Sequence, residues 1–133
     1  MAEAGLQEHA EVLHFDAFNI ASGRDAMRDV LTRRHLPDAI LCASDELAFG
    51  AIQMCRDARM AVPDQIAFVG FDNHPVSEAF SPPLTTVSIP RRDLGYLGAK
   101  TLIQMISDDE MEPGSQLLPY ELIVRASCGR NRW

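Results

Sequence analysis

Four side chains of this protein have residue types and positions that could bind a small polar ligand. They follow short apolar runs of the sequence, where a parallel sheet would present them at one edge. A carboxylate that accepts two hydroxyls, a small hydroxyl donor and an aromatic face together suit a sugar, a nucleoside or a similar polar ring. The candidates for this ligand site are Asp72, Ser44, Phe18 and Asp45.

Each candidate also has a simpler structural interpretation. Asp72 could be a turn residue that bonds its own backbone. Ser44 and Asp45 could cap a helix, because free N–H groups at a helix start favour hydroxyl and carboxylate acceptors, and one of them could do both jobs. Phe18 could belong to the core. The sequence pattern alone leaves these alternatives open.

Catalytic and metal-binding arrangements are not predicted. Asp45 and Glu46 are adjacent in a predicted helix, where neighbouring side chains do not face each other. The chain has no Gly-x-Ser-x-Gly motif and no phosphate loop. None of its histidines has metal-ligand spacing: His9, His14, His35 and His74. We therefore expect neither an enzyme, nor a metal site, nor a cofactor.

The elements that would position the ligand site alternate between strand and helix. The apolar run 66–69 predicts a strand buried on both faces, as in the middle of a parallel sheet, and Gly70 would let the chain turn after it. A similar strand at 39–43 leads into a helix that starts at Ser44–Glu46. Before them, 12–15 predicts a strand and Ser22 a helix start, with the helix closing at Pro37. Such β-α-β-α-β order predicts a parallel sheet.

The second half continues the pattern. Residues 84–89 predict an extended segment ended by Pro90, residues 91–107 a helix with one apolar face, and residues 117–126 a last strand. Gly5 suits the end of a helix whose beginning is missing, which indicates a piece of a longer protein. The basic C-terminal residues are interpreted as solvated: Arg125, Arg130 and Arg132, with Trp133.

Composition limits the function class. The formal charge is −7, so these residues alone are not expected to hold nucleic acid, and 47% apolar residues suffice for a core. No apolar run is long enough to span a bilayer, and no signal segment is present, so we expect a cytoplasmic protein without membrane contact. The three cysteines, Cys42, Cys55 and Cys128, predict free, mostly buried thiols in a reducing compartment.

Four motifs together resemble one known family. Residues 43–51, 62–73, 82–87 and 122–127 are similar, in order and spacing, to the effector-binding core of lactose/galactose-repressor type (LacI/GalR) transcription regulators. The resemblance implies an α/β fold of the periplasmic-binding-protein-like type I kind, in which a mainly parallel sheet is flanked by helices. It also implies a second lobe and an N-terminal helix-turn-helix domain for DNA. Neither would be contained in residues 1–133, a single partial domain.

The same resemblance suggests roles for individual residues. Asp72 matches the ligand-binding aspartate of the family's Gly-Phe-Asp motif, and Phe18 falls near an aromatic residue that stacks on the effector. Ser44 stands where members often have an asparagine, and Arg59 replaces a usual glycine. The family dimerises through this lobe, which implies a homodimer contact at Leu47, Ala51, Met54 and Phe80.

The resemblance further implies that residues of about 86–108 cross to the absent first lobe. The apolar face of the helix within that range would then lack its usual partner. We expect this helix to pack on the rest of the chain in an altered way, to contact another chain, or to be poorly ordered. The predicted function is effector sensing and dimerisation in a regulator, and the alternative is an exported sugar-binding protein of a transport system.

Overall fold

The computed structural model describes residues 10–14, 16–108, 112 and 114–129. Helices and strands follow one another from residue 20 onward, and a short 3-10 helix lies near the C-terminus. In chain order the elements are α1 (Ile20–Leu31), β1 (Ala39–Leu41), α2 (Asp45–Asp57), β2 (Ala67–Phe71), α3 (Val76–Ala79), β3 (Thr85–Ser88), α4 (Arg91–Ser107), β4 (Glu121–Ile123) and the 3-10 helix Ala126–Cys128.

The four strands form one sheet in the order β1-β2-β3-β4. β1, β2 and β3 run parallel, and β4 pairs antiparallel with β3. The mainly parallel α/β sheet predicted from the sequence is thus confirmed. Because β1, β2 and β3 run parallel, their carboxyl ends meet at one edge, where the segments after β1 and β2 bring Ser44 and Asp72.

The sequence analysis was wrong about several element boundaries. Residues 12–14 form no strand, and Phe15 and Gly5 lie outside the described residues. α1 is capped by Asn19, whose side-chain oxygen accepts from the Ser22 backbone N–H at 2.9 Å, and the helix ends at Leu31. Asn19 takes the capping place because its amide oxygen reaches an unpaired N–H one turn earlier than the Ser22 hydroxyl could.

The core lies between the α1–α2 pair and one face of the sheet. α1 supplies Met27 and Val30, and β2 supplies Phe68, all nearly inaccessible to solvent. The two helices approach so closely that a Cβ built on Gly50 would lie 2.0 Å from the Ile20 carbonyl oxygen. Glycine at this position lets the two backbones touch, which holds α1 on top of α2.

The helix α4 has the bounds predicted for it but contributes nothing to the core. No residue of α4 is buried, and Leu94 and Leu102 on its apolar face are more than half exposed. The expected altered packing of α4 on the rest of this chain is therefore wrong. Contact of this face with another chain stays a prediction.

None of the helices in the described ranges is both long and apolar enough to cross a membrane. Arg59, which replaces the family's usual glycine, has a φ of 60°. A left-handed backbone at a non-glycine residue costs about 1 kcal/mol or more, which explains why glycine is usual at this position.

Candidate functional site

The carboxylate of Asp45 is the centre of a buried hydrogen-bond network. Only 1% of Asp45 is exposed. Its Oδ2 accepts from the His74 backbone N–H at 2.7 Å and from the Ser77 hydroxyl at 2.5 Å, and its Oδ1 accepts from the Thr86 hydroxyl at 2.6 Å. Asp45 therefore joins the start of α2 to the turn after β2, to α3 and to β3. Its contacts are structural, and none of its surface is free for a ligand.

Gly70 makes room for this carboxylate. A Cβ at position 70 would lie 2.1 Å from Oδ1 of Asp45 and 2.9 Å from a methyl group of Leu84. Gly70 lies inside β2, so the sequence interpretation of this glycine as a turn residue is wrong. The absence of a side chain matters here because the Asp45 carboxylate occupies that space.

Asp72 begins the turn that follows β2. Its φ is 107° and that of Asn73 is 48°, so two consecutive non-glycine residues have left-handed backbones. Such conformations cost about 1–3 kcal/mol each and persist only where the surrounding structure enforces them. Strain of this kind is concentrated at functional sites, which makes this turn the best candidate for one.

The side chain of Asp72 is half-buried and unpaired. Its backbone N–H donates to the Val87 carbonyl at 2.9 Å, but its carboxylate has no hydrogen bond or ion pair within the part of the chain that the structure describes. A carboxylate in this state keeps its acceptor capacity for another molecule. A largely apolar cavity of about 410 Å³ lies beside the preceding residue, Phe71, and reaches Leu94 and Tyr120.

Ser44 caps α2 and immediately precedes Asp45, whose carboxylate accepts from the His74 N–H after this turn. Its hydroxyl oxygen accepts from the Leu47 backbone N–H at 3.2 Å, and the residue is 8% exposed. The capping interpretation is thus confirmed, yet the hydroxyl proton is not used by the cap and can still be donated. Phe18 directly precedes the Asn19 cap of α1 and is 61% exposed. It takes no part in the network around Asp45.

Arg125 is a member of the site that the sequence analysis missed. Its guanidinium donates to the Leu84 carbonyl at 2.7 Å and to Oδ1 of Asn73 at 3.0 Å. Its backbone N–H donates to the Thr85 hydroxyl at 2.8 Å. The interpretation of Arg125 as part of a solvated tail is therefore wrong, and the other tail residues lie outside the described ranges. The one sequence signal that could have distinguished Arg125 from the basic C-terminal residues is its position inside the 122–127 motif.

Two of the four residues assigned to a dimer contact are inside the single chain. Leu47 and Ala51 are 6% and 5% exposed, and the Leu47 backbone lies against Gly23 of α1. Little of either side chain is left for a second copy, because α1 already covers this face of α2. Met54 and Phe80 are half-buried at the margin of the core, where Phe80 stacks on Phe49 at 4.6 Å.

The three thiols are free, as predicted. Burial, with a smaller contribution from the Asp45 charge, raises the pKa of Cys42 to about 12, and burial raises the pKa of Cys55 to about 11. Both therefore stay protonated at neutral pH and behave as small core residues. Cys128 is only half-buried. The described residues contain no His, Cys, Asp and Glu cluster that could hold a metal.

Sequence comparison finds relatives over almost the whole chain. The family described as "Periplasmic binding protein-like domain" matches residues 1–128. The HTH-type transcriptional regulator RegA of Clostridium saccharobutylicum is 35% identical over 96% of this chain, and the HTH-type transcriptional repressor CytR of Escherichia coli is 33% identical over 96%. These matches cover 38% and 37% of the two relatives, so the chain spans less than half of their length.

Solved structures with the same fold agree with these relatives. A LacI family regulator from Sanguibacter keddieii superposes with a TM-score of 0.84 and 31% identity, covering 96% of this chain and 48% of that one. A LacI family regulator from Enterococcus faecium with bound ribose has a TM-score of 0.71 and 29% identity, covering 84% and 41%. The lac repressor dimer bound to operator superposes with a TM-score of 0.74 and 31% identity, covering 83% of this chain and 38% of that one.

Proposed function

The chain belongs to the periplasmic binding protein-like domain family, in the form that occurs in LacI-type transcriptional regulators, and from this we propose that it is the effector-sensing part of such a regulator. The proposed effector is a small sugar-like or nucleoside-like molecule. The regulator would work in the cytoplasm and reach DNA through a helix-turn-helix domain outside this chain, since the charge of −7 opposes direct phosphate binding.

The observation that carries the proposal is the state of the Asp72 carboxylate. It follows a strand at the carboxyl edge of the sheet, its backbone is strained, and no described residue neutralises it. A carboxylate of this kind can accept two hydroxyl groups of a sugar or ribose ring. Its half-burial strengthens such bonds relative to those in bulk water.

Two further residues support the same ligand class. The Ser44 hydroxyl accepts a bond from the Leu47 N–H and keeps its own proton for donation to a ligand. The next residue, Asp45, bonds the His74 N–H and so connects this end of α2 to the turn. Phe18 presents an exposed aromatic side chain of the sort that packs on sugar rings or bases. Asp45, the fourth residue predicted for the site, is buried and contacts no ligand in this proposal; it holds the turn after β2 through its bond to the His74 N–H.

The first test is the substitution Asp72→Asn. Asparagine has nearly the same size and tolerates a left-handed backbone, so the turn should persist while the negative charge is lost. We expect effector affinity to fall at least tenfold, which corresponds to about 1.4 kcal/mol and is typical of a charge-assisted hydrogen bond. A thermal-shift panel of ribose, galactose and adenosine on the whole chain would select the probe, and calorimetry would measure its dissociation constant.

The matched control is Asp29→Asn, which removes the same charge from the exposed side of α1. Affinity of this variant should equal that of the unchanged protein. If Asp72→Asn also binds the selected probe with unchanged affinity, the assignment of Asp72 to the ligand site is refuted.

We also propose that two copies of the lobe associate through the margin of α2 and the loop before Pro82. Met54 and Phe80 remain candidates for this contact, whereas Leu47 and Ala51 are already covered by α1. Light scattering of the purified chain at tens of micromolar should then give the mass of two chains. A mass of one chain over that range would remove this part of the proposal.

An exported sugar-binding protein would share the fold. The relatives described above are transcriptional regulators and repressors, which favours the regulator. No described residue gives a specific reason to prefer transport.

A further inference from the structure

The turn after β2 is held at three successive points. The backbone N–H groups of residues 72–74 donate, in order, to the Val87 carbonyl, the Thr86 hydroxyl and the Asp45 carboxylate, at 2.9, 3.2 and 2.7 Å. The first acceptor is a backbone carbonyl of β3, the second is a side-chain hydroxyl of β3, and the third is a carboxylate at the start of α2. A turn with two left-handed residues needs such constraints, because an unconstrained chain would relax to an ordinary backbone.

The Thr86 hydroxyl links two of these three points. It is fully buried, accepts from the Asn73 N–H, and donates its own proton to Oδ1 of Asp45 at 2.6 Å. The direction of the hydroxyl is therefore determined by both partners. Valine has the same shape as threonine but offers neither bond, whereas serine keeps both.

Arg125 holds the other side of the same turn. Its guanidinium donates to Oδ1 of Asn73, and it is anchored by a second bond to the Leu84 carbonyl. No ion pair between Arg125 and Asp72 exists in the described structure. The guanidinium thus orients the residue next to the carboxylate without neutralising the carboxylate itself.

We propose that Thr86 and Arg125 are positioning residues that hold the Asp72–Asn73 turn in its left-handed conformation and so set the place of the Asp72 carboxylate. The role of the Asp72 carboxylate in this inference rests on the proposed function. The conformation of the turn is independent of the proposed function and can be measured without any ligand.

Native-state amide hydrogen exchange of the whole chain without ligand tests the inference. We expect Thr86→Val to speed exchange of the Asn73 and His74 amides at least tenfold, because the first loses its acceptor and the second loses the oriented Asp45 carboxylate. Thr86→Ser should restore slow exchange. The matched control is Ser127→Ala, which removes another fully buried hydroxyl that bonds the Phe68 carbonyl and the Thr85 N–H, neither of them in the turn.

Rates are compared after correction for global stability from urea unfolding. Faster exchange at 73 and 74 in Thr86→Val alone, with recovery in Thr86→Ser, supports the inference. Equal exchange in Thr86→Val and Ser127→Ala at equal stability overturns it, since Thr86 would then be one more buried hydroxyl.

A second variant separates this inference from the proposed function. Arg125→Lys keeps the charge but cannot make both bonds of the planar guanidinium, so exchange at Asn73 should again rise at least threefold. Unchanged exchange in Arg125→Lys overturns the role of Arg125. If instead the turn loosens as expected while Asp72→Asn leaves the affinity for the selected sugar or nucleoside unchanged, the positioning of the turn stands and the ligand assignment fails.

Discussion

Replacing Asp45 with alanine should lower the free energy of unfolding by about 3–5 kcal/mol, because two buried hydroxyls and one partly buried N–H lose their acceptor at once. These donors are the His74 N–H and the hydroxyls of Ser77 and Thr86. Each unsatisfied buried donor costs about 1–3 kcal/mol, and the hydroxyls recover part of this by rotating. A domain of this size is stable by only about 5–15 kcal/mol, so the loss is large. Urea unfolding at pH 7 measures it.

Glu46→Ala is the matched control for this substitution. It removes a carboxylate from the same first turn of α2, but Glu46 is exposed and has no partner in the Asp45 network. Its interaction with the helix dipole is worth about 0.5 kcal/mol. If Asp45→Ala costs no more than Glu46→Ala, Asp45 is an ordinary helix-start residue and the buried network contributes little.

Gly50→Ala should destabilise the chain by about 2–4 kcal/mol, although alanine is the better helix former. The added Cβ would lie 2.0 Å from the Ile20 carbonyl oxygen and 2.8 Å from the Arg24 backbone nitrogen. Both contacts are with backbone, so no side chain can rotate out of the way. The helices α1 and α2 must separate, which opens the core that they cover. Thermal or urea unfolding measures the change.

Gly98→Ala is the contrasting substitution in α4. A Cβ there meets nothing within 4 Å. Gly98→Ala should therefore raise the free energy of unfolding of α4 by the full difference in helix propensity, about 0.5–1 kcal/mol. Urea unfolding followed by a probe on α4 measures this change. A stabilising effect at both glycines would contradict the close packing of α1 on α2.

Local signals in the sequence were sufficient for several elements. Ser44 followed by two acidic residues marks a helix start, and α2 begins there. Pro90 ends an extended segment, and the helix from Arg91 to Ser107 has the predicted bounds. These features depend on residues within one helical turn of each other, so a linear reading contains the relevant interactions. Where the local signals competed, as between Asn19 and Ser22, the prediction was wrong.

Local sequence signals predicted only part of the candidate site. The position of Asp72 at the carboxyl edge follows from the strand before it, and the resemblance to LacI-type regulators suggests a role in ligand binding, which stays a prediction. The role of Asp45 depends on partners 29, 32 and 41 residues away, and that of Arg125 on a partner 52 residues away. Nothing in the spacing of such residues reveals that they meet.

The sequence by itself determined the family, the main strands and helices from β1 onward other than the short α3, and the edge of the sheet at which the polar residues gather. Tertiary structure alone decided which carboxylate is buried and which is left free: Asp45 is satisfied by three donors, while Asp72 has none among the described residues. The physical reason is that helix and strand preferences act between near neighbours in the chain. Burial and hydrogen-bond satisfaction depend on contacts that exist only after distant segments have packed together.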